Sequence, residues 1–343
     1  MKIHQLSILM LSVLLFISCS NHEDTEPSGI KTKTLPVEIE IPAEQTTRAW
    51  GDPGSGYSYK LPRYLYLFLV SKYADSNNDT TTTVQYITSE LDSALWEKNE
   101  EENVYKYIGG IKVPIPELRT TGEVYCATSY SPLHLNSDDP LTQQDVLNTS
   151  FSFSKNDDTY AHLKDIYSTN ADLKNGTQYY GTISDYESNN PYIKLKMYHV
   201  AAILDIDWNV AEDINESVSV KSITIEGLKQ EGCLLFRPNK NTTAGSNTYQ
   251  ETFNTTPGTQ WYGRTYYYII PYAADGTNIQ LPLRIENGIS GGYKQTTINM
   301  TIDQSSFVPW MYGNIIIKDA TGWLNDYSIT PKRIEQYETI YTP

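Results

Sequence analysis

The sequence predicts an all-β protein made of two tandem β-sandwich domains with few short helices. Tyrosine is far more frequent than phenylalanine (28 against 7), and tyrosine and threonine favour strands, whereas asparagine, glycine and proline favour turns. Short apolar segments recur between clusters of turn residues, and no long helical period appears. A chain of 343 residues suits two domains of about 150 residues each.

Residues 1–18 have the features of an export signal. Lys2 precedes the mostly apolar run Leu6–Ile17, which at about 12 residues is too short to cross a bilayer and fits the hydrophobic region of a signal peptide. The run ends at Ser18-Cys19, which resembles a lipobox and predicts cleavage before Cys19 and its acylation. An ordinary secretory signal that contains a cysteine is the alternative. The acidic stretch 20–24 that follows resembles an outer-membrane export tract.

A strand with one apolar face and one polar face is predicted at residues 35–41. The apolar residues Leu35, Val37, Ile39 and Ile41 alternate with proline or glutamate, and a period of two is typical of a half-buried strand. The polar segment after it contains Thr47-Arg48-Ala49, a trypsin-like cleavage site. The sequence therefore predicts a pro-segment, residues 19–48, in which a strand is attached to a removable linker.

The first domain is predicted to cover residues 49–190. The apolar run Leu61–Val70 does not alternate, which predicts a strand buried on both faces. Further strands are expected at Val84–Thr88, Val104–Val113 and Gly122–Tyr130. A short helix is expected to end at Leu147, with Asp139 as its N-cap.

The second domain is predicted to cover residues 191–323 and to begin with the strand region Pro191–Trp208. Its other strands are expected at Val218–Ile225, Cys233–Phe236, Thr265–Pro271, Ile279–Ile285, Tyr293–Ile302 and Tyr312–Ile317. The two halves share a design but show no clear sequence repeat.

The tail, residues 324–343, is predicted to be extended. Its apolar and aromatic residues alternate at first and then become irregular. They are Tyr327, Ile329, Ile334, Tyr337 and Ile340, with Pro331 between them. The tail is therefore either a final pair of strands or a detachable arm that donates a strand to another chain.

Net charge excludes some classes of partner. The formal charge is −15 at pH 7, and no basic stripe is available to neutralise the phosphates of a nucleic acid. General adsorption to anionic lipid is disfavoured for the same reason, so contact with a membrane is expected only through the precursor lipid.

No catalytic constellation is predicted, and the chain is expected not to be an enzyme. Gly288–Gly292 matches the nucleophile-elbow pattern G-x-S-x-G, but that fold needs a histidine later in the chain, and the last histidine is His199. The segment is better interpreted as a hairpin turn, and His199 as a core or interface residue.

No cofactor or metal site is predicted either. Asp205, Asp207, Asn209 and Glu216 occupy positions 1, 3, 5 and 12 of a calcium loop, but Val210 stands where that loop needs glycine. An outward polar face of a strand is the simpler interpretation. The histidines of the mature chain show no metal-ligand spacing.

The remaining cysteines and the aromatic clusters favour packing roles. Cys126 and Cys233 lie in strand-like segments and are expected to be buried thiols, although a disulfide between them stays open. The tyrosine cluster at 266–268 is interpreted as sheet packing, with a carbohydrate-binding surface as the alternative.

The order of these parts resembles the fimbrillin family, the subunits of type V pili in anaerobic Gram-negative bacteria. The resemblance covers nearly the whole chain. It is carried by Cys19, the strand 35–41, residues 47–49, the core strand Leu65–Val70, the segments Gly122–Ser129, Tyr180–Gly181 and Ile193–Ala202, and the late segment Phe307–Gly313. In that last segment Trp310 stands where the family pattern has glycine.

The resemblance implies transthyretin-like sandwiches of the Greek-key type and a role as a structural pilus subunit for adhesion. An Arg-specific surface protease would cut between Arg48 and Ala49 of an outer-membrane lipoprotein precursor and release the first strand. The tail of a neighbouring subunit would then enter the vacated groove. The implied partners are other pilus subunits and a host or bacterial receptor. A non-polymerising surface lipoprotein that binds glycan or host protein is the alternative.

Overall fold

Strands dominate the structure. The computed structural model describes residues 32–43, 60–74, 80–114, 121–136, 139–154, 156–172, 193–242, 245–289, 291–303, 310–320 and 326–332. Within these ranges the only α-helices are the short α1 (Gln143–Leu147) and α2 (Asp158–Ala161). The predicted all-β class is confirmed.

The first sandwich contains two sheets. The strands of its four-stranded sheet are β1 (Thr32–Pro42), β4 (Trp96–Asn99), β5 (Val104–Pro114) and β10 (Ile193–Lys196), in the order β10-β1-β5-β4. The strands of its five-stranded sheet are β2 (Tyr64–Ala74), β3 (Thr80–Glu90), β6 (Thr121–Ser129), β9 (Tyr167–Asp172) and β11 (Tyr198–His199), in the order β11-β9-β6-β2-β3.

Strand β2 is buried on both of its faces, as its continuous apolar sequence predicts. Leu65, Leu67 and Leu69 point into the core between the two sheets. Tyr66, Phe68 and Val70 point the other way, into a second apolar cluster that also includes residues of the second sandwich. Because adjacent side chains of a strand face opposite sides, a strand of this kind must be covered on both sides.

The second sandwich also contains two sheets. One has the strands β12 (Ala202–Val210), β16 (Tyr262–Ile269), β19 (Trp310–Ile317) and β20 (Asp326–Lys332), in the order β16-β12-β19-β20. The other has β13 (Val218–Leu228), β15 (Asn247–Thr252), β17 (Asn278–Ile289) and β18 (Gly292–Asp303), in the order β15-β13-β17-β18. One apolar core fills the space between them.

The two sandwiches repeat one topology. In each, the first strand lies between a late strand, to which it is parallel, and an antiparallel strand from the middle of the domain: β1 lies between β10 and β5, and β12 lies between β19 and β16. The strand orders β3-β2-β6-β9 and β15-β13-β17-β18 also correspond. The repeat is therefore one of architecture, as expected from the absence of a repeat in sequence.

The sandwiches are joined by a small sheet and a shared apolar cluster. Strands β7 (His134–Leu135), β8 (Ser150–Ser152) and β14 (Cys233–Leu234) form a three-stranded sheet in the order β14-β8-β7. Strand β14 follows the first strands of the second sandwich, whereas β7 and β8 belong to the first half of the chain. Cys233 pairs with Phe151 across this junction.

Residues 193–199 are bonded to the first sandwich. Strand β10 pairs with β1, and β11 pairs with β9, although both strands follow the expected boundary near residue 190. Residues 173–192 lie outside the described part, so the limits 49–190 and 191–323 stay predictions. The hydrogen bonding nevertheless groups β10 and β11 with the first half, and β12 opens the second.

Helix α1 corrects one local prediction. Its N-cap is Thr142 and not Asp139: the Thr142 hydroxyl accepts from the amide of Asp145, and the Asp145 carboxylate accepts from the amide of Thr142. This reciprocal pair is a capping box. Thr142 satisfies the motif because the acidic residue stands three positions after it, whereas position 142, three after Asp139, is threonine.

Both described cysteines are free and buried, which confirms the prediction of buried thiols. Burial raises the pKa of the Cys126 thiol, and it raises that of Cys233 to about 12. A thiol with a raised pKa holds little thiolate at neutral pH, so both side chains behave as small apolar groups.

Candidate functional site

Strand β1 is an internal strand of its sheet. It pairs antiparallel with β5 along its whole length, from Thr32 opposite Pro114 to Pro42 opposite Val104. It also pairs parallel with β10 from Val37 to Glu40. Pro36 and Pro42 lie just outside the stretch that is paired on both sides, where a missing backbone N–H does not interrupt the ladder to β10.

The inward face of β1 completes the core of the first sandwich. The side chains of Val37, Ile39 and Ile41 are 1%, 0% and 2% exposed and pack in the cluster that contains the β2 leucines. Leu35 lies opposite Ile111 in the β1–β5 ladder. Burying each of the side chains of Val37, Ile39 and Ile41 is worth about 1.5–3 kcal/mol as an upper estimate, so β1 is a substantial part of this core.

The outward face of β1 carries two carboxylates between lysines of the neighbouring strands. Lys194 of β10 lies 3.1 Å from the carboxylate of Glu38 and 3.0 Å from that of Glu40. Lys106 of β5 lies 3.2 Å from Glu40 and 2.5 Å from Glu102. The ion pairs therefore connect three strands across the outer surface of the sheet.

These lysines perturb the titration of Glu40. Partial burial by itself would raise the pKa of this carboxyl, but hydrogen bonds from Lys194 and Lys106 outweigh it, and the pKa is lowered. Hydrogen bonds to Glu40 and Glu38 likewise raise the pKa of Lys194. The charged forms of Glu40 and Lys194 are therefore favoured in the folded chain.

We expect the ion pairs that hold β1 between its neighbouring strands to weaken at low pH. Because the folded-state pKa of Glu40 is lowered, its contribution to stability is present above the ordinary glutamate pKa of about 4.3 and is lost as the pH falls through the lower folded-state value. The stability difference between the native protein and Glu40→Gln, about 1 kcal/mol or less at pH 7, should shrink as the pH is lowered below the ordinary glutamate pKa and through the lower folded-state value. Urea unfolding across this range measures it; a difference that does not change with pH would contradict the assignment.

The end of β1 is fastened by backbone hydrogen bonds. The Ala43 amide donates to the Asn103 carbonyl at 3.0 Å, and the Met197 amide donates to the Glu40 carbonyl at 2.8 Å. Asn103 has a positive φ of 52°, a conformation that asparagine tolerates better than most residues. The β4–β5 turn thus supplies the carbonyl that binds the chain directly after β1.

The predicted processing residues lie outside the described part of the chain. This applies to the lipidation residue Cys19 and to Arg48 and Ala49, which stay predictions. The structure describes the chain on either side of residues 44–59: Ala43 at the end of β1, and Lys60, whose amide donates to the Asp165 carboxylate at 3.0 Å. The predicted cleavage site therefore lies between two segments that are both held by the first sandwich.

The first part of the tail is bonded to its own domain. In β20, Tyr327 and Ile329 lie opposite Ile315 and Gly313 of β19. Ile329 packs against the core of the second sandwich, and Tyr327 is 43% exposed. The other predicted donor residues, Ile334, Tyr337 and Ile340, lie outside the described residues.

Asp205, one of the residues that match a calcium loop, lies in an ion pair. It is fully buried, and Arg264 donates to it through Nε at 2.7 Å and also through Nη2. Asp207 lies 3.7 Å from Arg264 and accepts from the Tyr312 hydroxyl at 2.5 Å. This face of β12 points away from the core, as predicted, but Asp205 is covered and not open to solvent.

The other candidate residues also have packing roles. His199 is 4% exposed, and its Nδ1 lies 2.9 Å from the Lys164 carbonyl oxygen. Gly288 and Gly292 belong to the β17–β18 hairpin, as the turn interpretation predicts. Among the described residues, no group of three or more His, Cys, Asp or Glu side chains could hold a metal ion.

One outer sheet face carries exposed aromatic side chains. Tyr262 and Tyr266 of β16 are 61% and 45% exposed and lie on either side of Arg264 along the strand. Trp261 is 46% exposed and contacts Tyr262, with ring centroids 5.1 Å apart. Within the tyrosine cluster 266–268, Tyr267 packs in the core of the second sandwich and Tyr268 in the cluster shared by the two sandwiches, as the sheet-packing interpretation predicts, whereas Tyr266 is exposed.

Sequence reasoning missed Lys106 and Lys194. A signal was nevertheless present, since Val37–Glu40 alternates apolar and acidic residues and Ile193–Lys196 alternates apolar and basic residues. The structure pairs these two segments residue for residue. Complementary alternation of this kind suits strand pairing on a polar sheet face, but it does not by itself single out the partner strand.

Fold and site together define an all-β, two-sandwich protein whose N-terminal strand lies inside its sheet. No helix among the residues placed by the structure is long and apolar enough to cross a membrane.

Known proteins resemble the chain in structure only. No family model and no curated protein sequence matches it. Three similar solved structures are the fimbrial anchor protein Mfa2 from Porphyromonas gingivalis (11% identity, 88% of this chain and 100% of that chain, TM-score 0.39), a protein assigned to cell adhesion from Bacteroides eggerthii (12%, 90% and 93%, 0.46) and a fimbrial assembly protein from Parabacteroides distasonis (12%, 90% and 98%, 0.39). With every one of these TM-scores below 0.5, the likeness does not establish a shared activity.

Proposed function

We propose that this chain is a fimbrillin-type subunit of a surface fimbrium, exported as a lipoprotein and assembled by strand exchange. The observation that carries the proposal is the placement of β1. This strand completes the core from the N-terminal side, is hydrogen-bonded on both edges, and is followed shortly by the predicted cleavage site at Arg48. A single cut by an Arg-specific protease would therefore free a strand from inside a sheet.

Loss of β1 would leave an acceptor groove. Strands β5 and β10 would each expose an unpaired edge, and the groove floor would expose the side chains that now cover Val37, Ile39 and Ile41. Two facing strand edges with unpaired backbone groups, on either side of an apolar groove, are a template for an incoming strand. Head-to-tail exchange of this kind does not close on itself, so it extends a filament.

The tail is the proposed donor, and its two parts differ. Tyr327 and Ile329 would have to leave β19 before they could enter another subunit. Residues 333–343, which include Ile334, Tyr337 and Ile340, could enter a neighbour while β20 stays in place. We therefore propose that β20 anchors the arm and that the residues after Lys332 are donated, which suits a stalk subunit that both accepts and donates.

The second candidate is a surface lipoprotein that does not polymerise and binds glycan or host protein. The exposed rings of Trp261, Tyr262 and Tyr266 beside Arg264 favour it, because flat aromatic surfaces next to fixed polar groups suit sugars as well as proteins. In this case β1 would be a permanent first strand and would not be replaced.

Controlled cleavage tests the proposal. We expect a protease that cuts after arginine to release the segment before Ala49 and oligomers to follow, whereas Arg48→Gln should keep the chain intact and monomeric. N-terminal sequencing identifies the cut, and size-exclusion chromatography follows assembly.

Two outcomes separate the candidates. A chain that is cut at Arg48 and loses β1 but neither forms oligomers at high concentration nor takes up a strand peptide in its place would favour the surface binder. A chain that is cut and then unfolds would show that no subunit exchange follows release.

A further inference from the structure

The strands beside β1 carry a basic stripe in an otherwise acidic protein. On the outward face, Lys106 and Lys112 of β5 lie opposite Glu40 and Thr34, and Lys194 and Lys196 of β10 lie opposite Glu38 and Glu40. Residues directly paired across strands share one face of the sheet. Two lysines on each side thus flank the strand in a chain whose net charge is −15.

Removal of β1 would affect these cations unequally. Lys106 would keep Glu102, at 2.5 Å, as a partner. Lys194 would lose the two carboxylates, of Glu38 and Glu40, that now lie within 3.1 Å of its ammonium group. The open groove would therefore present an apolar floor with a row of lysines along its rim.

We propose that the groove selects its incoming strand by charge as well as by shape. The proposal rests on the proposed strand exchange and names the partner: a strand that alternates apolar and acidic residues, with two carboxylates two positions apart on its outward face. Such a strand restores the pairs of Lys194 and Lys106, and opposite charges facing each other across strands stabilise the pairing.

The tail of this chain meets the requirement only in part. Its last acidic residues are Glu335 and Glu338, three positions apart, so in an extended strand they face opposite sides. The proposed donated part, after Lys332, also begins with the cation Arg333, which would lie near the basic rim. The groove therefore fits a strand of a different subunit better than the tail of a second copy of this chain.

Peptide exchange into the full, cleaved protein tests the proposal. The protein is cut after Arg48, and its resident segment is exchanged against labelled peptides with the sequence of residues 32–43, the same sequence with Glu38→Gln and Glu40→Gln, and residues 324–343. We expect the glutamine peptide to bind about tenfold more weakly than the native one, equal to about 1.4 kcal/mol. The difference should shrink at 1 M salt, where the screening length falls to about 3 Å.

A variant protein assigns the effect to the rim. Lys194→Gln should reduce the difference between the native and glutamine peptides to threefold or less. Lys98→Gln is the matched control, because Lys98 lies in the same sheet but pairs with Glu100 at 2.9 Å and is separated from β1 by β5. It should leave the difference unchanged.

The outcomes separate the two proposals. If the native peptide enters the cleaved protein but the glutamine peptide binds equally well, strand exchange stands and selection by charge is overturned. If residues 324–343 bind as tightly as the native peptide, the assignment to a different subunit is overturned. If no peptide replaces the resident segment, strand exchange itself fails, and the charge selection fails with it.

Discussion

Replacing Ile39 by alanine is expected to lower the free energy of unfolding of the uncut precursor by about 2–5 kcal/mol. Ile39 is fully buried and packs between the two sheets of the first sandwich, so the truncated side chain leaves a cavity that the surrounding strands fill only partly. Urea unfolding followed by tryptophan fluorescence measures the change, with Trp96 in the same core cluster as the reporter.

The stability of the native and Ile39→Ala subunits should also be compared after strand exchange. In the proposed assembled form β1 is gone, so a subunit derived from Ile39→Ala should be as stable as the native one. Leu67→Ala is the control, because Leu67 belongs to the retained core and should destabilise both forms. If Ile39→Ala still weakens the assembled subunit by the full amount, β1 has not left its sheet.

Replacing Arg264 by glutamine is expected to destabilise the second sandwich by about 3–5 kcal/mol. The variant leaves the fully buried Asp205 carboxylate without the guanidinium that now donates to both of its oxygens. Burial already raises the pKa of Asp205, although Arg264 opposes that effect. Loss of the arginine should therefore leave an acid that is stable inside the protein mainly in its neutral form.

The loss of stability caused by Arg264→Gln should become smaller as the pH is lowered. Since the folded-state pKa of Asp205 in the variant lies above its unfolded value of about 3.9, the destabilisation is full above the folded-state pKa and declines as the pH falls. Denaturant unfolding of both proteins between pH 7 and pH 4 should show the gap narrowing.

A second arginine provides the control. Arg284 pairs with Glu226 at 3.0 Å, but the two side chains are 40% and 38% exposed. Arg284→Gln should therefore cost less than about 1 kcal/mol. Equal losses for the two variants would show that burial of Asp205 does not decide the cost.

Local patterns predicted the class and the position of several strands. The unbroken apolar run before Val70 indicated burial on both sides, and β2 indeed serves two cores. The alternation from Val37 to Ile41 indicated which side chains point inward. Both signals succeed because they depend only on the two-residue period of an extended chain.

Long-range pairing was beyond such patterns. Lys194 is distant in sequence from Glu38, and nothing local to either residue specifies that β10 joins the first sandwich. Nor does an alternating sequence state whether a strand lies at the edge or in the middle of a sheet. Asp205 illustrates a second limit, since its burial depends on Arg264, on a strand that is not adjacent in sequence.

The candidate site was therefore only half predictable. The sequence indicated that Leu35, Val37, Ile39 and Ile41 face a core, but not that β1 is held on two edges. It also left open whether the tail is a strand or an arm; the structure assigns Tyr327 and Ile329 to β20, and Ile334, Tyr337 and Ile340 stay predictions.

The repeated topology bears on how many neighbours one subunit could bind. Strand β12 occupies in the second sandwich the place that β1 occupies in the first, but it follows the buried residues Val200 and Ala201 of the junction and is continuous with the rest of the chain at both ends. Under the proposed processing at Arg48, only the first sandwich would lose its inner strand. If strand exchange occurs as proposed, a subunit with one acceptor groove and one donor arm would bind only two neighbours, so the polymer would be unbranched and its two ends would be chemically different.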